Sequence, residues 1–267
     1  MQKELLLADE AIAQGAIDGG LSGVYAYPGT PSTEITEYIQ NSKQAKERNI
    51  HSRWSSNEKT AMESALGMSY AGKRALVCMK HVGMNVAADC FVNSSITGVN
   101  GGLMVLAADD PSMHSSQNEQ DSRFYGNFAM IPMLEPSNQQ EAYDMAYNGF
   151  ELSEKLGYPV MMRVVTRLAH SRSGVERRET KPQNGNSVPE DPRQFVLLPA
   201  IARRRYQHLL DMQGAILEAV ALMCDSSLCL HFDIHGYKGV MKKEECLYCR
   251  ENEEIKDIAI LTRVGKS

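Results

Sequence analysis

Short β-type runs recur along the first 166 residues, and each is followed by a stretch of helical periodicity. The runs fall at 24–27, 50–54, 74–79, 102–107, 131–134 and 160–165. Arg74-Ala75-Leu76-Val77-Cys78-Met79 is nearly all apolar, which suits a strand buried on both faces. Helices are predicted over 9–18, 31–42, from an Asn57 cap to Gly72, 83–97 and 139–156. Thr30 can cap the second of these, with Pro31 at its first position and Glu34 favoured early by the helix dipole. Strands spaced by helices predict an α/β fold with a doubly wound, mainly parallel sheet.

The regular alternation ends at Thr166. Residues 167–195 form a charged linker or extended arm, with Pro182, Pro189 and Pro192 and almost no apolar periodicity. Residues 196–267 follow as one helix over 199–223 and a short irregular tail. Three segments result: 1–166, 167–195 and 196–267.

Across the whole chain 28 basic residues face 33 acidic ones, a net charge of −5. That balance gives no electrostatic footprint for nucleic acid. No apolar run approaches the ~20 residues that cross a bilayer, and no signal peptide is visible. A cytoplasmic protein is expected. Cys78 and Cys90 lie in apolar sequence and read as buried small hydrophobes. Cys224, Cys229, Cys246 and Cys249 crowd the tail. Their x4 and x2 spacings are a weak four-thiolate signal, and no metal is expected there.

In doubly wound sheets ligands bind beyond the carboxyl ends of the strands, where the distinctive segments of this chain lie. Tyr27-Pro28-Gly29-Thr30-Pro31-Ser32 is either a ligand-facing turn or a well-made helix cap. In Asn57-Glu58-Lys59, Glu58 sits in a first helical turn, where the dipole favours its carboxylate with or without a ligand. Met79-Lys80-His81-Val82-Gly83-Met84-Asn85 places a Lys–His pair at a strand end. His81 there is a ligand contact or a satisfied hydrogen-bonder. The polar stretch 108–123 is long for a loop, and reads as functional or as a solvated excursion.

Together, the ordered set Tyr27–Ser32, Asn57–Lys59, Met79–Asn85, His114-Ser115-Ser116-Gln117-Asn118-Glu119-Gln120-Asp121 and 131–137 resembles the pyrimidine-binding domain of thiamine-diphosphate-dependent 2-oxoacid:ferredoxin oxidoreductases. Within that family it is most similar to the indolepyruvate-type alpha subunits, over about the first 215 residues. The resemblance implies that Glu58 bonds the aminopyrimidine ring nitrogen of the cofactor. That favours the imino tautomer, which removes the thiazolium C2 proton before the resulting carbanion attacks a 2-oxoacid.

It further implies cofactor contacts from Pro28, Gly29, Thr30, His81, Gly83 and Asn85. His114, Gln117, Asn118, Asp121 and Arg123 become candidates to face the substrate. The implied reaction is oxidative decarboxylation of an aryl 2-oxoacid with coenzyme A and ferredoxin, in a homo- or hetero-oligomer. Full-length members also carry a diphosphate-binding domain that holds Mg2+, and an iron–sulfur region. No Gly-Asp-Gly motif for that diphosphate–metal site is present here. From about Val220 the text departs from the family, as if truncated, shifted or joined to other sequence. The chain is therefore expected to hold half of a thiamine site, completed by a diphosphate-binding domain or beta subunit. The alternatives are a pyrimidine-domain subunit of a two-chain decarboxylase, or a non-catalytic interaction remnant.

Overall fold

The computed structural model describes residues 3–223 and, beyond them, the backbone of two short antiparallel pairs, Leu228–Cys229 with Met241–Lys242 and Phe232–Asp233 with Gly236–Tyr237. The elements run β1 (Lys3–Leu7), α1 (Ala8–Asp18), β2 (Gly23–Ala26), α2 (Thr33–Asn41), α3 (Lys43–Glu47), β3 (His51–Trp54), α4 (Glu58–Tyr70), β4 (Ala75–Lys80), α5 (His81–Thr97) and β5 (Leu103–Asp109). Then come α6 (Arg123–Ala129), β6 (Met133–Leu134), α7 (Gln139–Leu156), β7 (Val160–Val165), α8 (Thr166–Ala169), β8 (Arg172–Glu176), α9 (Pro199–Asp211) and α10 (Gln213–Met223). Six strands form one parallel sheet in the order β3-β2-β4-β5-β7-β6.

The period of two along each strand sorts the core into two layers. Leu76 and Cys78, Met104 and Leu106, and Val160 and Met162 pack with residues of α1, α2 and α7. Val77 and Met79, Val105 and Ala107, and Met161 pack on the other face with α4, α5 and Ala129 of α6. Register keeps like positions in line, with Cys78 beside Leu106 and Leu106 beside Met162. All seven residues of β5 are buried, which is why its sequence shows no alternation. Asn57 Oδ1 accepts the Thr60 amide at 2.9 Å, and Asn138 Oδ1 that of Glu141 at 2.9 Å, so each fixes a helix start. Gly157 ends α7 in the left-handed region, at φ 74°.

Several elements depart from the sequence reading. The first strand and part of the charged arm are structured together: β1 pairs antiparallel with β8, Leu5 opposite Gly174. Leu6 and Val175 of this ribbon pack on Ala11, Tyr143 and Tyr147. Beyond it the arm is pinned by its charges. Asp18, wholly buried at the end of α1, accepts from Arg177 Nε (2.9 Å) and Nη2 (3.0 Å), Gln44 Nε2 (2.9 Å), Tyr143 Oη (2.9 Å) and Thr180 Oγ1 (2.9 Å). Burial alone would raise its pKa, but the bonds from Arg177, Gln44 and Tyr143 outweigh burial and hold it below the usual value. Charges that read as those of a linker or extended arm tie this segment down.

The basic stretch after α2 is the short helix α3, capped by Ser42 Oγ on Ala45 N at 3.2 Å. The single helix predicted over 199–223 breaks at Met212 into α9 and α10. Cys78 and Cys90 are buried free thiols; burial raises the pKa of both, Cys90 to about 12. The side chains of Cys224, Cys229, Cys246 and Cys249 lie outside the described residues. Among the described residues no helix is long and apolar enough to cross a membrane.

Candidate functional site

The chain leaves β2 toward β3 on one side and returns to β4 on the other, so the strand order reverses at β2. A crevice must open there, beyond the strand ends. The turn after β2 lines it with Pro28 and Thr30 exposed. Gly29 presses so close to β4 that an added Cβ would lie 3.3 Å from the Lys80 Cβ. Thr30 is not the helix cap. Ser32 Oγ donates to the Gly29 carbonyl at 2.9 Å, closing a turn, and the Gly29 amide donates to Thr33 Oγ1 at 2.9 Å. The helix therefore starts at Thr33, and Thr30 lies exposed in the turn before it.

Glu58 opens α4 and reaches across to the first turn of α5. A Cβ on Gly83 would meet Glu58 Cγ at 2.6 Å and Oε1 at 2.7 Å. Glycine at this point of α5 is what admits the carboxylate. Glu58 is half-buried and, among the described residues, makes no hydrogen bond or ion pair. A sheltered carboxylate without a protein partner fits an acceptor for a ring N–H of a bound heterocycle. That is the fit required of the pyrimidine half of thiamine diphosphate. Asn85, exposed on the next turn, accepts from the Tyr125 hydroxyl.

The residues after β5 cross the ends of β4 and β5 and are fastened at both. Lys80 Nζ donates to the Ser115 carbonyl at 2.7 Å, and His81 Nε2 contacts the Asn118 carbonyl at 3.0 Å. A carbonyl only accepts, so Nε2 is the donor in this contact. His81 is fully buried and its Nδ1 has no partner among the described residues. The helix starts at His81, earlier than the sequence implies, so this side chain seats the loop instead of facing the open crevice. Asp110 holds the other end, accepting from Ser115 N (2.8 Å), Ser116 Oγ (2.5 Å) and Thr166 Oγ1 (2.9 Å). Burial works against ionisation, but these bonds outweigh it and hold Asp110 well below the usual carboxylate range.

The loop closes over a cavity of about 970 Å3, lined in part by His114, Asp121, Arg123, Arg163 and Arg167. Under it lies a charge network that sequence reasoning misses. Arg163 Nε donates to Asp109 Oδ2 at 2.6 Å, its Nη1 donates to Glu135, and Arg123 Nε donates to Asp121 at 2.7 Å. Asp109 also accepts from the Ser122 amide at 3.1 Å and from its hydroxyl. The available signal is an arginine inside the apolar run Val160-Met161-Met162-Arg163-Val164-Val165 and a carboxylate closing the apolar β5. Of the predicted residues, Pro28, Gly29, Thr30, Glu58 and Gly83 gather at the crevice. His114, Asp121 and Arg123 line the cavity, and His81 and Asn118 meet in the loop tether. Gln117 is exposed on the loop. Arg123 opens α6, a helix absent from the sequence reading, whose Phe124 and Phe128 are 72% and 73% exposed.

Fold and site together define a doubly wound α/β domain with an unengaged carboxylate at its switch point. The family of pyruvate flavodoxin/ferredoxin oxidoreductases, thiamine-diphosphate-binding domain, matches residues 14–201, and the chain belongs to it. It is similar to the indolepyruvate oxidoreductase subunit IorA of Pyrococcus horikoshii, 48% identical over 217 residues, covering 79% of this chain and 33% of the relative. The same subunit of Methanothermobacter marburgensis is 46% identical over 238 residues, 88% of this chain and 38% of the relative. The chain spans about a third of the length of these curated relatives. Among solved structures it resembles the 2-oxoglutarate:ferredoxin oxidoreductase from Magnetococcus marinus with 2-oxoglutarate, coenzyme A and succinyl-CoA bound. That match has a TM-score of 0.66 at 17% identity, over 81% of this chain and 45% of that one, and is a likeness of fold.

Proposed function

We propose that this chain provides the pyrimidine side of a thiamine-diphosphate site in an indolepyruvate-type 2-oxoacid:ferredoxin oxidoreductase. The observation that carries the reading is the free, half-buried Glu58 carboxylate seated on Gly83 at the switch point. Thiamine diphosphate supplies an electron sink for decarboxylation of a 2-oxoacid. Glu58 bonds the ring nitrogen, holding a proton at that atom in a site sheltered from water. Thr30 and the Gly29 backbone shape the crevice beside it. The Lys80 and His81 tethers hold the loop in place as a wall of the adjoining cavity, where His114 and Arg167 can meet a substrate carboxylate. The exposed Phe124 and Phe128, with Val86 on α5, offer an apolar surface to the diphosphate-binding portion that completes the site. Mg2+, coenzyme A, ferredoxin and any iron–sulfur cluster belong to that assembly.

The test is a chimera in which this chain replaces the matching third of the Pyrococcus horikoshii relative. Thiamine- and coenzyme-A-dependent reduction of ferredoxin by indolepyruvate is expected. A folded, assembled chimera that binds thiamine diphosphate yet reduces no ferredoxin with any 2-oxoacid would overturn the assignment.

A further inference from the structure

A second polar cluster lies apart from Glu58, where the starts of α1 and α2 meet the end of α8. Asp9, in the first turn of α1, is wholly buried, and neither of its carboxylate oxygens has a hydrogen-bond partner among the described residues. Glu34, in the first turn of α2, likewise leaves Oε2 buried without a partner. His170 follows α8 and brings Nε2 to 3.4 Å from Glu34 Oε1. One ligating atom from each of the three residues lies within 4.8 Å of the other two.

Two carboxylates so close in a low-dielectric setting repel, and a buried carboxylate with no donor forfeits its solvation. The neighbouring Glu10 offers no relief: it is another carboxylate, engaged by the Leu7 amide at 2.8 Å. Burial, then Glu34 and Glu10, push Asp9 well above the usual carboxylate range, as happens where a counter-charge is lacking. No lysine or arginine pairs with Asp9 or Glu34 among the described residues.

We propose that Asp9, Glu34 and His170 form a divalent-cation site. Two hard oxygens and one imidazole suit a first-row ion such as Mn2+ better than a thiolate-seeking ion. An ion about 2.1 Å from each ligand needs ligand atoms roughly 3–4 Å apart; the Glu34–His170 pair already meets this at 3.4 Å, and Asp9 would close in by about 1–2 Å at most. A 2+ charge balances both carboxylates and gives an orphaned Asp9 oxygen a partner. Glu34 and His170 are about a third exposed and open to solvent, which provides an entry path. The carboxylates sit at helix N-termini, whose dipoles favour their ionised, ligating form. This site is independent of the function proposed above.

The test uses the folded 267-residue chain with its accessible thiols alkylated, so that these cannot compete, and Mn2+ alone as probe. Loss of the free-ion paramagnetic resonance signal should report one bound Mn2+ per chain, and Mn2+ should raise the melting temperature. Asp9→Asn and His170→Ala should each weaken binding by at least the roughly 10–100-fold that even an outer partner costs. The partly exposed His170→Ala keeps the comparison open should Asp9→Asn misfold. A free-ion signal that rises from the first addition overturns the proposal. So does unchanged binding in folded His170→Ala.

Discussion

Replacing Gly83 with alanine should separate stability from activity. Gly83 is the third residue of α5, and its missing Cβ is the space that the Glu58 side chain occupies. Moving Glu58 Cγ from 2.6 Å to the 3.4 Å of an ordinary contact shifts it by about 0.8 Å. The obstructed atoms belong to a side chain that can swing, so the fold should persist. Alanine improves helix propensity by up to about 1 kcal/mol, and the melting temperature should hold or rise by roughly 2–4 °C. A misplacement near 1 Å can cost about 100-fold in rate, or about 2.7 kcal/mol of barrier. In the chimera, Gly83→Ala should therefore lose turnover by about that factor while melting no lower than wild type. The double variant Glu58→Ala/Gly83→Ala should be no slower than Glu58→Ala alone, since the two act through one contact. An equal loss from Gly83→Ala with and without Glu58 would refute the reasoning.

Further expectations concern the scaffold. Arg163→Met strands Asp109 and Glu135, so the chain should lose about 3–5 kcal/mol and melt roughly 10 °C lower by scanning calorimetry; a shift under 2 °C would contradict the network. Asp18 has a depressed folded pKa, so its contribution is present above the unfolded value and lost as pH falls through the folded one. The melting-temperature gap between wild type and Asp18→Asn/Arg177→Gln should therefore narrow as pH falls below about 4, and a gap that is constant or widens with acid would contradict it. Asp110→Ala removes the acceptor that holds Ser115 and Ser116 of the loop over 111–121, along with its bond from Thr166. Limited proteolysis should cut there several-fold faster while the core stays resistant, and an unchanged cleavage rate would count against the tether.

β2, β4, β5 and β7 were legible because each is a largely apolar run buried on both faces, whereas the edge strand β3, His51–Trp54, is polar and partly exposed. The bounds of α7 were legible because Asn138 and Gly157 mark both ends locally. The segments of Glu58 and the Gly29 turn were legible as strand ends, where ligand contacts fall, while a role for Glu58 came only with the family resemblance. The β1–β8 ribbon was not legible. Arg172-Ser173-Gly174-Val175-Glu176 is polar and half-exposed, and its partner lies across nearly the whole domain. A seven-residue helix such as α6 is too short to show a period. The helix start at Thr33 was hidden because Ser32 can close a turn on Gly29 as readily as Thr30 can cap. The Arg163 network joins residues 28 and 54 positions apart, and pairing at that range leaves no local pattern. The same holds for Asp9, Glu34 and His170, which meet only through three separate helix ends.

The central claim, that Glu58 activates the thiamine ring, is tested most directly by hydrogen–deuterium exchange at the thiazolium C2 of the bound cofactor. In the chimera loaded with thiamine diphosphate and magnesium, acid-quenched NMR would compare wild type with Glu58→Gln. The account predicts exchange slowed by about 100- to 10,000-fold in the variant, the range for losing a positioned acid–base group, with cofactor still bound. Exchange at the wild-type rate in Glu58→Gln would contradict it.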